Sequence, residues 1–285
     1  MPPNIPVDNS DPIAAFLRKS PSELTHAELS DSYKLAFNDR EFLLRPETLG
    51  IRFQLELLKP ELVLKDHGIK HTIAVFGSAR AMPSEEARKL LEAAKSPAEI
   101  AEAKKAADGA LRYESARKFG ELVATYNLKQ GINEHKLRIC TGGGPGIMEA
   151  ATRGASEQGD LTIALNISLP HEQTPNPYVT PELCFRFHYF AIRKMHFMIR
   201  ARAIVVYPGG FGSFDELFEI LTLVQTKKIN RLPIILIDQE FWEKAINFEF
   251  MVEQGCIDPQ DRELIHFSET PEDAWKAISS WYELS

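Results

Sequence analysis

Residues 203–219 read AIVVYPGGFGSFDELFE. A short β-branched run enters a glycine-rich turn, and the turn opens at once into an amphipathic helix with an acid in its first turn. Strand, glycine loop and helix in direct succession form the βα step of a parallel sheet. The loop also has a chemistry. Glycines let backbone N–H groups approach a ligand closely, and the unpaired N–H groups of a new helix add positive potential. A phosphate fits such a place, and Glu216 would face whatever that phosphate carries.

Outward from this stretch, strands alternate with helices from His71 onward, the signature of a sheet joined by crossover helices. Strands are expected at 71–76, 137–141, 161–167, 203–207, 233–237 and 264–267. Most are short and continuously apolar, as strands covered on both faces should be. Helices are expected at 113–128, 146–157, 191–202, 214–226, 239–254 and 271–281. The Ala- and Lys-rich segment 84–109 reads as an inserted helical hairpin turning at Ser96-Pro97.

Residues 1–66 read as a helical extension. Asp11-Pro12 is a cap-and-first-turn pair, and Ser20 to Glu23 and Thr25 to Glu28 fit the S/T-x-x-E capping box. A further helix is expected from Pro46 to Leu58, ended by Pro60, with Leu49, Phe53 and Leu57 as its buried stripe.

Composition bounds the function. A chain of 285 residues, 44% hydrophobic and 26% charged, has ample material for a globular core. Its formal net charge of −7 argues against nonspecific binding to nucleic acid or anionic membranes. The three cysteines, Cys140, Cys184 and Cys256, form no C-x-x-C pair and read as reduced thiols of a cytoplasmic protein. With no signal-peptide pattern and no apolar run of spanning length, the chain is expected to be neither secreted nor membrane-embedded.

Three glycine-bearing loops each follow an expected strand: Gly77 to Arg80, Gly142 to Gly146, and Pro208 to Ser213. In an open parallel sheet such loops gather at the carboxyl ends of the strands, where ligands bind, so the three are expected to line one crevice. A dinucleotide does not suit them. The G-x-G-x-x-G fingerprint fails because Ile147 stands at its sixth position, and Asn166 ends the next strand where an acid is needed. No G-x-x-x-x-G-K-S/T loop is present either, which leaves a monophosphate as the better ligand.

Glu216 has two readings. It can be the N3 acid of a capping box with Ser213 as N-cap. Alternatively, lying one turn before Ile220 at the edge of the Leu217, Ile220, Leu221, Val224 stripe, it can point along the sheet end as a functional carboxylate. Arg193 likewise belongs to a basic helix face, yet in a first turn a cation opposes the helix dipole and calls for an anionic partner, a phosphate or Glu216. The eight histidines show no H-x-H or H-E-x-x-H spacing, so no metal set is expected.

With FGSAR, TGGGPGIMEAATRGA, IRK and PGGFGSFDELFEILTLVQTKKI on the page, the chain resembles the LOG ("lonely guy") family of cytokinin riboside 5′-monophosphate phosphoribohydrolases, long labelled possible lysine decarboxylases. The likeness runs from about His71 to Trp281, and the N-terminal helices and the insertion make it similar to the larger bacterial subclass. It implies an α/β, Rossmann-like doubly wound parallel sheet in three layers, spanning 67–285 behind the extension. It also implies hydrolysis of the N-glycosidic bond of a nucleoside 5′-monophosphate, AMP or a cytokinin riboside monophosphate, to free base and ribose 5-phosphate.

By that resemblance Arg193 and Glu216 are catalytic, and Gly77, Ser78, Gly143, Gly144, Lys194, Gly209, Gly210, Gly212 and Ser213 bind substrate. No cofactor is called for, and a homodimer or larger assembly is implied. Ser213 replaces the family's threonine and keeps a hydroxyl and an N–H. Glu149 stands where short members carry glycine. A rival reading is a nucleotide- or cofactor-binding protein without turnover, similar to molybdenum-cofactor carriers, which would keep the glycine loops but have no need of paired Arg193 and Glu216. Amino-acid decarboxylation has no Schiff-base lysine signature to support it.

Overall fold

The computed structural model describes residues 25–130, 136–170 and 174–284. The chain divides into two compact units, Met1–His67 and Gly68–Ser285. The Asp11-Pro12 and Ser20–Glu23 signals lie outside the described residues.

In the first unit Thr25 and Glu28 exchange both bonds of a capping box, the Thr25 N–H donating to Oε2 at 2.8 Å and the Glu28 N–H to Oγ1 at 3.3 Å. Helix α1 runs Leu49–Asp66 and contains Pro60, so the expected stop at Pro60 is corrected. A proline removes one N–H and its bond, which a helix this long absorbs. The expected stripe is also corrected: Leu49 and Phe53 are exposed, and the buried residues of α1 are Pro60 and Leu64.

The second unit is built on seven parallel strands in the order β4-β3-β2-β1-β5-β6-β7. They are β1 His71–Phe76, β2 Leu137–Thr141, β3 Ile163–Ile167, β4 Cys184–Phe187, β5 Ala201–Val206, β6 Ile234–Ile237 and β7 Ile265–Ser268. Between them run α2 Ser84–Ala93, α3 Pro97–Lys129, α4 Ile147–Glu157, α5 Phe190–Ile199, α6 Phe211–Gln225, α7 Gln239–Ala245 and α8 Phe248–Glu253, and α9 Pro271–Trp281 follows β7. Side chains alternate across the strands, so Ile73, Val75, Ala203 and Val205 face α3, α4 and α9 in one core cluster with Phe119, Ile147 and Ile278. On the other face Phe76 meets Phe197 of α5 edge-on at 4.9 Å. This is the expected doubly wound three-layer sheet.

β4, which sequence reading left out, is a four-residue edge strand paired only with β3. An edge strand alternates buried with exposed residues, and Arg186 points outward, so CFRF lacks the continuous apolar run of the central strands. The inserted hairpin is α2 plus the first half of α3. Ser96 and Glu99 form a capping box at the start of α3, and the helix passes through Gly109 without a break to include the expected 113–128 segment.

α3 and α4 touch backbone to backbone. A Cβ on Gly120 would overlap the carbonyl oxygen of Ala151, and one on Gly154 the carbonyl oxygen of Arg117. Beneath them Asn127 donates from Nδ2 to the Leu137 carbonyl and to Asp160 Oδ2, both at 2.6 Å, and accepts from the Leu137 N–H at 2.8 Å. Asp160 also pairs with Arg138, so every strong polar group of that buried cluster is satisfied. Among the described residues no helix is long and apolar enough to cross a membrane.

Candidate active site

The strand order reverses between β1 and β5, which are adjacent in the sheet. Loops leaving such neighbours turn to opposite faces and open a crevice at the carboxyl ends of the strands. Here the loops are sewn together by backbone bonds. The Ser78 N–H donates to the Pro208 carbonyl and the Ile147 N–H to the Ser78 carbonyl, each at 3.0 Å. Gly146 makes the second junction possible: its φ is +73°, and a Cβ there would strike the Ser78 and Ala79 backbone. All three glycine loops thus converge. A cleft of about 910 Å³ opens over the first and third.

α6 begins at Phe211 with Gly210 as its N-cap, and no side chain caps it. Its first turn contains no acid. The expected start at Phe214 is corrected, and with it the capping-box reading of Glu216. Ser213 is the third helical residue, its N–H already bonded to the Gly210 carbonyl at 3.0 Å. The N–H groups of Phe211 and Gly212 are the donors left over in the first turn. A Cβ on Gly210 or Gly212 would meet nothing within 4 Å. Packing does not demand glycine at either place, and both flank the donors that a bound anion would use.

Glu216 lies on the buried face of α6, which comprises Ser213, Glu216, Leu217, Ile220 and Val224. The Glu216 side chain lines the cleft, yet the residue is only 5% exposed. Its Oε2 is buried with no hydrogen-bond partner. Burial pushes the carboxyl up to about 7, against the opposing pull of the Arg193 and Lys194 charges and with Glu219 and Asp215 adding to the rise. An acid so placed stabilises nothing in the fold, because a buried unpaired carboxylate is a net cost.

Arg193, on α5, is anchored from the opposite side. Its Nε donates to the Leu165 carbonyl of β3 at 2.7 Å, and its guanidinium lies 5.2 Å from the Phe197 ring centroid. A Cβ on Gly142 would sit 2.5 Å from Nη2, so the second glycine loop gives Arg193 its room. Burial lowers the guanidinium pKa, opposed by the charge of Glu216. No ion pair within 4.0 Å joins Arg193 and Glu216 among the described residues; they face the same cleft as separated opposite charges.

The other expected residues divide. Gly77, Ser78, Gly209, Gly210, Gly212 and Ser213 line the cleft. Gly143 and Gly144 are buried behind it, their carbonyls accepting from Asn176 N–H at 2.9 Å and Asn176 Nδ2 at 3.0 Å. Lys194 is turned away: its Nζ pairs with Asp215 at 2.7 Å and Glu219 at 2.8 Å. Burial opposes the Lys194 charge, but those two carboxylates outweigh it and raise its pKa. Glu149 accepts a hydrogen bond from the Tyr113 hydroxyl at 2.8 Å.

The lining residues that sequence reading did not assign to the site include Arg112, Met148, Phe190 and Phe241. Met148 lies two residues beyond the second loop, inside the quoted TGGGPGIMEAATRGA motif. Arg112 and Phe241 come from distant helices and carry no local signal. Among the described residues no group of three or more His, Cys, Asp or Glu is arranged to hold a metal ion.

The family model described as "Possible lysine decarboxylase" matches residues 148–278. The chain is 25% identical over 170 residues to the cytokinin riboside 5′-monophosphate phosphoribohydrolase of Rhodococcoides fascians, covering 57% of this chain and 82% of that protein. It is 31% identical over 121 residues to the pyrimidine/purine nucleotide 5′-monophosphate nucleosidase of Escherichia coli K12, covering 37% of this chain and 25% of that much longer protein. Among solved structures, the Moco carrier protein of Chlamydomonas reinhardtii aligns over 75% of this chain and 98% of its own, at 20% identity and a TM-score of 0.46. The family match and the likeness to these curated proteins bear out the resemblance read from the motifs: the chain is similar to proteins of the LOG family.

Proposed function

We propose that this protein hydrolyses the N-glycosidic bond of nucleoside 5′-monophosphates, AMP or a cytokinin riboside monophosphate, releasing the free base and ribose 5-phosphate. One observation carries the reading. Glu216 is a buried, unpartnered carboxyl that opens into a cleft beside a helix N-terminus built for an anion.

With the 5′-phosphate against the N–H groups of Phe211 and Gly212, the ribose would lie along the first turns of α6 toward Glu216. Cleavage of a ribosyl C–N bond develops positive charge at C1′, as in glycoside hydrolysis, and a nearby carboxylate stabilises it. The water oxygen adds to C1′ while its proton passes to Glu216. The bonding pair leaves with the base nitrogen, and Glu216 can return the proton to the departing base. A pKa near 7 suits both directions of that transfer. Arg193 tempers the cost of ionising Glu216 and holds opposite charge across the cleft. Binding the remote phosphate fixes C1′ in place.

The decarboxylase label of the family model finds no support in this geometry. An imine-forming lysine needs a depressed pKa, whereas that of Lys194 is raised by two carboxylates. A homodimer belongs to the proposal, since Met195 and Ile199 on α5 and Phe211 and Phe218 on α6 leave apolar side chains exposed; light scattering showing a strict monomer at micromolar concentration would remove that part. Cytoplasmic location belongs to it too, resting on three free cysteines. The test of the activity is a panel of nucleoside monophosphates with free base followed by chromatography. Base released from at least one supports the reading, and none from any favours a binding protein without turnover.

A further inference from the structure

The cleft needs a cation at its phosphate end, and Lys194 does not supply one, being held by Asp215 and Glu219. Arg193 is committed at the other end, to the Leu165 carbonyl and the face of Phe197. A phosphate dianion exceeds what two backbone N–H groups and a helix end, equivalent to roughly half a unit charge, can neutralise. The other cations lining the cleft are Arg80 and Arg112, and of these Arg112 is the one fixed in place.

Arg112 projects from α3, outside both the sequence motifs and the matched family segment. Its Nε and Nη2 both donate to Asp238 Oδ2, at 2.9 and 2.7 Å. Asp238 is itself held in a rare backbone state, φ 72° and ψ 76°, where its Oδ1 caps α7 by accepting from the Phe241 N–H at 3.1 Å. The guanidinium lies 5.6 Å from the Phe241 ring centroid; Phe241 meets Trp242 edge-on at 5.2 Å, and Trp242 contacts Phe214 in the first turns of α6, also at 5.2 Å. This aromatic relay links Arg112 to the first turns of α6, and both line the same cleft. With two donors on Asp238, the guanidinium keeps further N–H groups for a second acceptor.

We infer that Arg112 is a ligand for the 5′-phosphate, positioned by Asp238 and Phe241, and that it makes the site select phosphorylated over unphosphorylated ribosides. The inference rests on the proposed nucleotide site, though not on turnover. The acid nearest to it, Asp238, spends both oxygens on the α7 cap and on Arg112, so a phosphate would approach the guanidinium from the cleft side.

The experiment is titration calorimetry of the full chain with ribose 5-phosphate and with inorganic phosphate, for wild type, Arg112→Ala and Arg112→Lys, with melting curves alongside. A charge-assisted hydrogen bond is worth about 1.5–3 kcal/mol, so Arg112→Ala should weaken ribose 5-phosphate binding by roughly 10- to 150-fold. Arg112→Lys keeps the charge but loses the fork, and should retain an intermediate affinity. Both variants abolish the fork to Asp238, so a purely structural Arg112 would weaken binding equally in the two. That result, affinity within twofold of wild type in Arg112→Ala, or a wild type that binds neither probe, would overturn the inference. A wild type that binds ribose 5-phosphate but hydrolyses no nucleotide would overturn the proposed reaction instead, and the order of the three affinities would still decide Arg112.

Discussion

Replacing Glu216 by glutamine should stabilise this protein, and do so more at alkaline than at acidic pH. Burial raises the folded-state pKa from 4.5 to about 7, and the unfolded chain returns it to the ordinary value. Between those two values the folded state binds more protons than the unfolded one, so stability falls as pH rises from about 4.5 and levels off above about 7. Within that window one pH step removes about 1.4 kcal/mol, so ionisable Glu216 lowers stability by about 1 kcal/mol at pH 5 and about 3 kcal/mol at pH 8. Glutamine imitates the protonated acid, and any packing difference it introduces is the same at both pH values. The gap between variant and wild type should therefore widen by about 2 kcal/mol from pH 5 to pH 8, a relative rise in Tm of roughly 4–8 °C for a domain of this size. Thermal melts of the two proteins across that range measure it. A gap that stays constant would show that Glu216 ionises as freely as an exposed acid and would refute the buried-carboxyl argument.

If the ionised form of Glu216 takes the proton from water, kcat/KM for AMP should climb up to tenfold per pH unit below about pH 7 and flatten above it; a level profile from pH 5 to 8 would contradict this. Arg193→Ala should lower kcat/KM for AMP by about 10²-fold or more while still melting cooperatively, and an undiminished rate would reduce Arg193 to a packing residue. Gly120→Ala should destabilise by about 3 kcal/mol, the upper end of overpacking, because its Cβ meets the Ala151 backbone rather than a side chain that can move. Calorimetric or chemical unfolding checks that value, and a neutral effect would mean α3 and α4 can separate cheaply.

Much of this was legible in the sequence because parallel strands covered on both faces write continuous apolar runs. Residues 71–76 and 137–141 emerge with the expected boundaries. Where the pattern depends on position in the sheet it misleads, as at β4, whose edge location leaves Arg186 exposed amid CFRF. The start of α6 was hidden by chemistry of another kind. Phe-Gly-Ser at 211–213 has loop composition, and Ser213-Phe-Asp-Glu216 imitates a cap, yet Gly210 ends the extended chain and the helix begins immediately. That shift of three residues, invisible in composition, takes Glu216 out of the cap position and leaves it as an acid on the buried face of the helix. Arg112 and Asp238 stand 126 residues apart, and nothing local in either segment announces their pairing.

On the proposed reading Glu216 performs chemistry in a cleft that binds a nucleotide without it. The most direct test is Glu216→Gln with AMP, pairing equilibrium binding with adenine release. The expected result is AMP bound within about tenfold of the wild-type Kd and adenine formation slower by at least about 10²-fold, the scale of general-base assistance. A glutamine variant that releases adenine at the wild-type rate would contradict it.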